Sequence, residues 1–274
     1  MKRIDAARLR SALLRPVGPY TAIDVVASTG STNADLRDAV VEGAADRTVL
    51  IAEEQTKGAG RRGRTWVSPP GAGVYLSVLL RPGEVPLPAL GSLAAVAGLA
   101  LIDTARELGV DAVLKWPNDM LAGVERAKCA GVLAEAVACD EQAVVLGIGV
   151  NVSPMREPVR PGPGALRATS LAEEGASTSD RTEVARLLLG HLHEREQRWR
   201  CARGDLRAAG LLDEYRSRCA TLGMQVKVLV AGGSAKIGEA LDVDSDAALI
   251  VRTADGERHT IFAGDVVHLR PSHA

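Results

Sequence analysis

The sequence predicts an α+β protein in two parts: a larger domain over residues 1–220 and a small SH3-like β-barrel over residues 221–274. From about Tyr20 to about Ala220, short β-branched runs alternate with stretches of helical period. From about Leu222, helical period disappears and five short apolar runs follow, separated by the Gly, Asp and Ser of tight turns. A length of 274 residues suits one large domain plus a small one.

In chain order, Ser31-Thr32-Asn33 offers an N-cap for a helix over 31–42, behind the apolar run IDVVAST. Strands are expected at 49–54 and 74–81. A helix is expected over 87–108, where the apolar run from Pro88 lasts about fifteen residues before Asp103. A membrane span needs roughly twenty, so this helix is expected in the core. Further strands are expected at 112–116, 130–137 and 143–152. The stretch from Met155 to Arg167 has too much Pro and Gly for either element and is expected to loop over the surface. Ser170-Leu171-Ala172-Glu173 has the form of a capping box that would start a short helical turn to Glu174, and a longer helix follows over 181–203. QVKVLV, AKIGEALDV, ALIVRT, RHTIFA and DVVHLR are the five strands of the small barrel.

A net charge of −1, with 46% hydrophobic and 24% charged residues, describes an ordinary folded protein. It argues against nucleic acid or an anionic membrane as the main partner, since either favours a basic excess. Cys129, Cys139, Cys201 and Cys219 are widely spaced, so neither a zinc site nor a disulfide framework is expected. The first ten residues, MKRIDAARLR, lead into no apolar run of a secretory signal. A reducing, cytoplasmic location is expected.

Residues 58–66, GAGRRGRTW, match the pattern G-x-G-x-x-G. A dinucleotide turn requires a helix after the glycines, and Pro69-Pro70-Gly71 forbids one; no Gly-Lys-Ser/Thr closes a Walker A loop either. What remains is a Gly-rich loop carrying Arg61, Arg62 and Arg64, with Trp66 beyond it. Such a loop either grips a phosphate, with the indole as a stacking face for a purine, or is a solvated arginine surface. Lys115-Trp116-Pro117-Asn118-Asp119 ends a strand either as a plain β-turn or as ligand contacts at a strand end. Lys128 opens an apolar strand in a chain with only six lysines. Asn151 closes another, where an unpartnered amide would be costly.

In this order, S-T-N, Q-x-x-G-x-G-R-R-G-R-x-W, K-W-P-N-D, K-x-A-G-V-L-x-E and G-I-G-V-N-V resemble the motif series of biotin protein ligases, also called biotin–[acetyl-CoA-carboxylase] ligases. Each motif alone is weak, and five in order from about Asp24 to Asn151 are specific. The resemblance implies a mixed-sheet catalytic domain of the biotin/lipoate ligase type with the small barrel behind it. It also implies two steps with ATP and Mg²⁺: biotinoyl-5′-AMP forms, then biotin passes to a lysine of a biotin carboxyl carrier domain of an acyl-CoA carboxylase. Ser31, Thr32, Asn33 and Gln55 are expected at the ureido ring. Ala59, Gly60 and Arg61 are expected near the biotin carboxylate and phosphate. Arg64 is expected on the ATP phosphates, Trp66 and Asn151 at the adenine, and Lys115, Asn118 and Asp119 at the nucleotide. Lys128 is expected to bind the biotin carboxylate and α-phosphate as the foremost catalytic residue, with Arg61 beside it. Asp119 is a candidate for metal contact or for helping the acceptor lysine lose its proton.

The chain starts about twenty residues before the first strand of the resemblance, so a monofunctional type without an N-terminal helix-turn-helix domain is expected, as a monomer or weak homodimer. One letter departs from the family loop: Ala59 stands where an Arg is usual, and the sequence leaves open whether Lys57, two residues earlier, supplies the missing charge. A lipoate-type or other acyl-adenylate ligase is the alternative reading, and a non-catalytic ligand-binding module a more distant one.

Overall fold

In the computed structural model, residues 2–138, 141–154, 166–229 and 235–269 are described. The expected loop thus lies outside the described residues from 155 to 165, as does Cys139. Two sheets hold the fold. The larger has seven strands in the order β1-β2-β3-β7-β6-β5-β4. These are β1 (Ala22–Val26), β2 (Thr48–Ala52), β3 (Gly73–Leu80), β4 (Ala112–Lys115), β5 (Asp119–Ala122), β6 (Ala127–Val137) and β7 (Ala143–Asn151). Only β1 and β2 pair in parallel and the other neighbours are antiparallel, so the sheet is mixed.

Helices cover both faces of this sheet. On one side α3 (Leu93–Glu107) and α4 (Arg181–Cys201) pack on each other and on the strands to form the main core. Leu87–Glu107 is long and apolar enough to cross a membrane by composition, yet twelve of the fifteen residues of α3 are buried within the fold. Its start differs from the expected single helix: Leu87–Ser92 is a 3-10 turn, with Pro88 near its beginning. On the opposite face α2 (Thr32–Val41) packs through Leu36 and Val40 on Leu79, Ala143 and Val145. Every residue of β3 is buried, because the period-2 alternation sends half its side chains to each covered face.

Three elements, two helices and strand β5, have no counterpart in the sequence reading. Helix α1 (Ala6–Leu13) is capped by Asp5, whose carboxylate accepts from the Arg8 amide, and buries Leu9 and Leu13. Strand β1, the first strand that the resemblance implies, takes in residues 23–26 of the run IDVVAST. Strand β5 follows the turn at Pro117, and α5 (Leu212–Arg218) spans only seven residues. The Ser170–Glu173 box forms, with the Glu173 amide donating to Ser170 Oγ at 3.3 Å, but it closes a turn and starts no helix.

The second sheet is antiparallel, in the order β11-β10-β9-β8-β12. Its strands are β8 (Gln225–Leu229), β9 (Ala235–Val243), β10 (Leu249–Thr253), β11 (Arg258–Ile261) and β12 (Asp265–His268), matching the five expected runs. Trp116 joins the two units. It is 1% exposed, its indole donates to the Ala247 carbonyl at 2.8 Å, and its amide donates to Thr221 Oγ1 at 3.0 Å. These bonds tie the residue after β4 to the β9–β10 turn and to the segment before β8.

Candidate active site

The residues nominated from the five motifs line one cavity of about 570 Å³ on the α2 face of the large sheet. The sheet leaves room for it by alternation. Along β7, Gly147, Gly149 and Asn151 share a face, and Gly149 pairs across the ladder with Gly131 of β6. A Cβ at Gly147 would meet Asn33 Oδ1 at 2.2 Å, and one at Gly149 would meet the Trp66 ring at 2.5 Å. The glycines of G-I-G-V-N-V therefore let Asn33 and Trp66 lie directly on the strands.

At one end, α2 presents its first turn to the cavity. Ser31 takes the N-cap position, yet its side chain makes no capping bond. Thr32 donates from its amide to Gln55 Oε1 at 2.9 Å, and the Gln55 amide group donates to Ser68 Oγ at 3.1 Å. Asn33 is 5% exposed, and its side chain is engaged with Glu135, Leu133 and Ser77.

At the other end, the turn KWPND folds so that Lys115 and Asp119 face each other across the β4–β5 ladder. Lys128 Nζ lies 2.7 Å from Asp119 Oδ1 and 5.3 Å from the Trp66 ring centre, where an indole face attracts a cation. Trp66 Nε1 is buried with no hydrogen-bond partner. An indole N–H in that state costs about 1–3 kcal/mol, and a ligand acceptor would remove the cost. Lys115 Nζ donates to the Val266 carbonyl of β12 at 2.6 Å. Burial pulls its basicity below the usual lysine value, with Asp119 opposing the shift and Lys128 adding to it. Asn118 spends its amide on the Val132 carbonyl at 2.7 Å, and Asn151 on the Thr169 carbonyl at 2.9 Å, so each also ties its position to a segment distant in sequence.

The Gly-rich segment is a small hairpin. Trp66 donates from its amide to the Gly58 carbonyl at 2.9 Å, Gly60 to the Arg64 carbonyl at 2.6 Å, and Ala59 bridges Thr65. Its tip turns through Arg62 and Gly63, at φ 55° and 71°; the left-handed region suits glycine at the second of these. The arginines reach to the small C-terminal sheet, an arrangement that sequence reasoning missed. Arg61 donates to the Gly264 carbonyl at 3.3 Å, Arg62 to the Leu229 carbonyl at 3.1 Å, and Arg64 lies 2.6 Å from Asp265. Burial lowers the Arg61 basicity, against the raising pull of Asp265 and Asp119. Leu229, Asp265, Val266 and Val267 thereby become part of the cavity wall. No motif in that part of the sequence pointed to them.

Lys57 does not fill the place left by Ala59. It is exposed and absent from the cavity wall, while its amide is tied to the Gly30 carbonyl at 2.8 Å. Positive charge at the cavity comes instead from Arg61, Arg64, Lys115 and Lys128. Such a chamber brings two anions together: cations line one end, a polar hydrogen-bonding end faces them, and an aromatic ring lies between.

The profile of the Biotin/lipoate A/B protein ligase family matches residues 25–151, and that of the Biotin protein ligase C terminal domain matches residues 221–269. The chain is 41% identical over 272 residues to the biotin--[acetyl-CoA-carboxylase] ligase of Mycobacterium tuberculosis, covering 97% of this chain and 96% of that one. A Paracoccus denitrificans protein of the same name is 33% identical over 251 residues, covering 88% and 98%. A solved structure of biotin protein ligase from Aquifex aeolicus, in complex with biotin and ATP, aligns with a TM-score of 0.71 at 29% identity, over 92% of this chain and 100% of that one.

Proposed function

The chain belongs to the biotin protein ligase family, and from that premise we propose that it activates biotin with ATP and transfers it to a lysine of a biotin carboxyl carrier domain. One observation carries the reading: all the residues nominated for biotin and for ATP, drawn from five separate motifs, meet in one cavity. In the first step the biotin carboxylate displaces pyrophosphate from the α-phosphorus, and negative charge accumulates at the phosphate. Lys128, Arg61 and Arg64 are the cations that would hold that charge. Ser31, Thr32 and Gln55 at the opposite end would orient the ureido ring, and Trp66 would give the adenine an apolar face. In the second step the acceptor amine attacks the acyl carbon and AMP leaves. Asp119 is the carboxylate nearest the reacting end, held there by Lys128.

Mg²⁺ would enter with ATP. Among the described residues no group of three or more His, Cys, Asp or Glu side chains could hold a metal by itself. Asp119 and Asp265, the carboxylates on the cavity, each already face a cation. These residues fit an ion carried on the ATP phosphates with its own waters and touching one carboxylate, Asp119. Bound there, it would offset phosphate charge.

Consumption of ATP agrees with the cytoplasmic location expected from the cysteines, and we assign a monomer or weak homodimer. The decisive experiment incubates the protein with biotin, MgATP and an isolated biotin carrier domain. Intact mass should show one biotinoyl group added to the carrier. Modification by lipoate but not biotin, or no acid-dependent release of pyrophosphate, would reject the reading.

A further inference from the structure

A buried chain of hydrogen bonds runs from the protein surface to the polar end of the cavity. Arg37 lies 2.9 Å from Glu135 Oε1, and Glu135 Oε2 accepts from Asn33 Nδ2 at 2.7 Å. Asn33 Nδ2 also donates to the Leu133 carbonyl at 3.3 Å. Ser77 Oγ lies 2.6 Å from Asn33 Oδ1 and 2.7 Å from Thr32 Oγ1. Thr32 Oγ1 is in turn 3.1 Å from Gln55 Oε1. Ser77 is 0% exposed and is the polar member of the apolar run VYLSVLL.

The hydrogens in this chain can be counted. A carboxylate and a backbone carbonyl only accept, so the Asn33 edge facing them must be its NH₂. Asn33 Oδ1 therefore faces Ser77 and accepts the single Ser77 hydroxyl hydrogen. Ser77 has none left for Thr32, and the short contact between the two hydroxyls is a hydrogen bond only if Thr32 donates. That uses the Thr32 hydrogen. The contact left without a hydrogen is Thr32 to Gln55, the longest of the three. Gln55 Oε1 is separately satisfied by the Thr32 amide at 2.9 Å. Every other arrangement leaves two oxygens facing each other, without a hydrogen, at 2.6 or 2.7 Å in a buried place.

We propose that Glu135 and Ser77 are positioning residues that fix the polarity of the Thr32 hydroxyl, so that only its lone pairs remain to face the cavity. The site then selects a ring N–H at Thr32 and rejects a ring oxygen or sulfur there. This rests on the biotin reading above and deepens it, because a cyclic urea carries such an N–H and a dithiolane does not.

The test compares biotin with the cyclic carbamate analogue in which the ureido N–H facing Thr32 is replaced by oxygen. Binding of each is measured by calorimetry, alongside the KM for ATP. The wild-type chain should prefer biotin by at least about tenfold, the effect of one hydrogen bond lost and two acceptors opposed. Glu135→Gln allows Asn33 to turn over and the relay to reverse, so this preference should narrow by about tenfold, with the KM for ATP unchanged. Ser77→Ala leaves the Thr32 hydrogen only the longer contact to Gln55 Oε1 at 3.1 Å or the ligand, so the preference should narrow there too, by less than in Glu135→Gln. Arg37→Ala leaves Glu135 an acceptor and should keep the wild-type ratio. A wild-type ratio retained in folded Glu135→Gln and Ser77→Ala would overturn the relay, as would equal narrowing in Arg37→Ala. Absence of biotin binding by the wild-type chain would instead reject the functional reading on which the relay depends.

Discussion

Lys128 is held between a carboxylate and an indole face, 2.7 Å from Asp119 and 5.3 Å from the Trp66 ring. In the proposed reaction this charge would stand at the reacting end before substrate arrives, as stabilisation of developing phosphate charge requires. Lys128→Met should slow formation of the adenylate by ~10²–10³ and affect transfer from preformed biotinoyl-AMP far less, as single-turnover assays of the two steps would show. Equal losses would make Lys128 a holder of the adenylate only. Replacing Arg61 by a neutral residue should loosen retention of the adenylate and send biotin to lysines of a non-cognate protein; unchanged acceptor selectivity would count against that role. The motif residues were legible as a series and not singly, because each short pattern also fits a cap, a turn or a surface loop while five in order do not. Ser77 was not, and Glu135 entered only as the last letter of K-x-A-G-V-L-x-E: a lone Ser in an apolar run and an acid near a strand end carry no local sign of their partners. The sequence left Lys57 open for a related reason, since proximity in sequence does not decide where a side chain points.

Among the elements, the Gly-rich hairpin is the part whose sequence said least about its setting. Its arginines looked free for phosphate, and in the folded chain they bind the small sheet. Asp265 faces both Arg64, at 2.6 Å, and Arg62, at 3.7 Å. Exposed ion pairs contribute little to stability, so this contact positions the hairpin more than it holds the fold. Asp265→Asn should therefore leave the melting temperature nearly unchanged while trypsin cuts faster after the loop arginines. Preformed biotinoyl-AMP should restore protection; cleavage at the wild-type rate without ligand would show that the latch holds nothing. Strand β5 escaped notice because the turn at Pro117 hid four residues whose partners lie on β4 and β6. Helices α1 and α5 are short, and their stability comes from packing, not from a strong local period.

Taken whole, the molecule is two sheets joined at a seam that runs beside the active cavity. His268 of β12 lies in that seam, 3.1 Å from Thr221 and near Lys115. Burial, with the Lys115 charge adding to it, pushes the imidazole down to about 4 from its usual 6.5. The unfolded chain then binds the His268 proton at a higher pH than the folded one. Stability from this group is present above about 6.5, falls as the pH drops, and is gone below about 4. His268→Gln should flatten that part of the stability–pH curve in denaturant titrations; an unchanged slope would place the acid sensitivity elsewhere. By itself, the sequence determined the two-part α+β plan, the five C-terminal strands and the motif residues that line the cavity, since periodicity, turn chemistry and rare residue combinations are local properties. Only the tertiary structure decided that the small sheet completes the cavity wall, that Asp265 takes the loop arginines, and that Glu135 governs Thr32 through Ser77. Each of those depends on groups tens to hundreds of residues apart, brought within hydrogen-bonding reach by packing that no short stretch of sequence encodes.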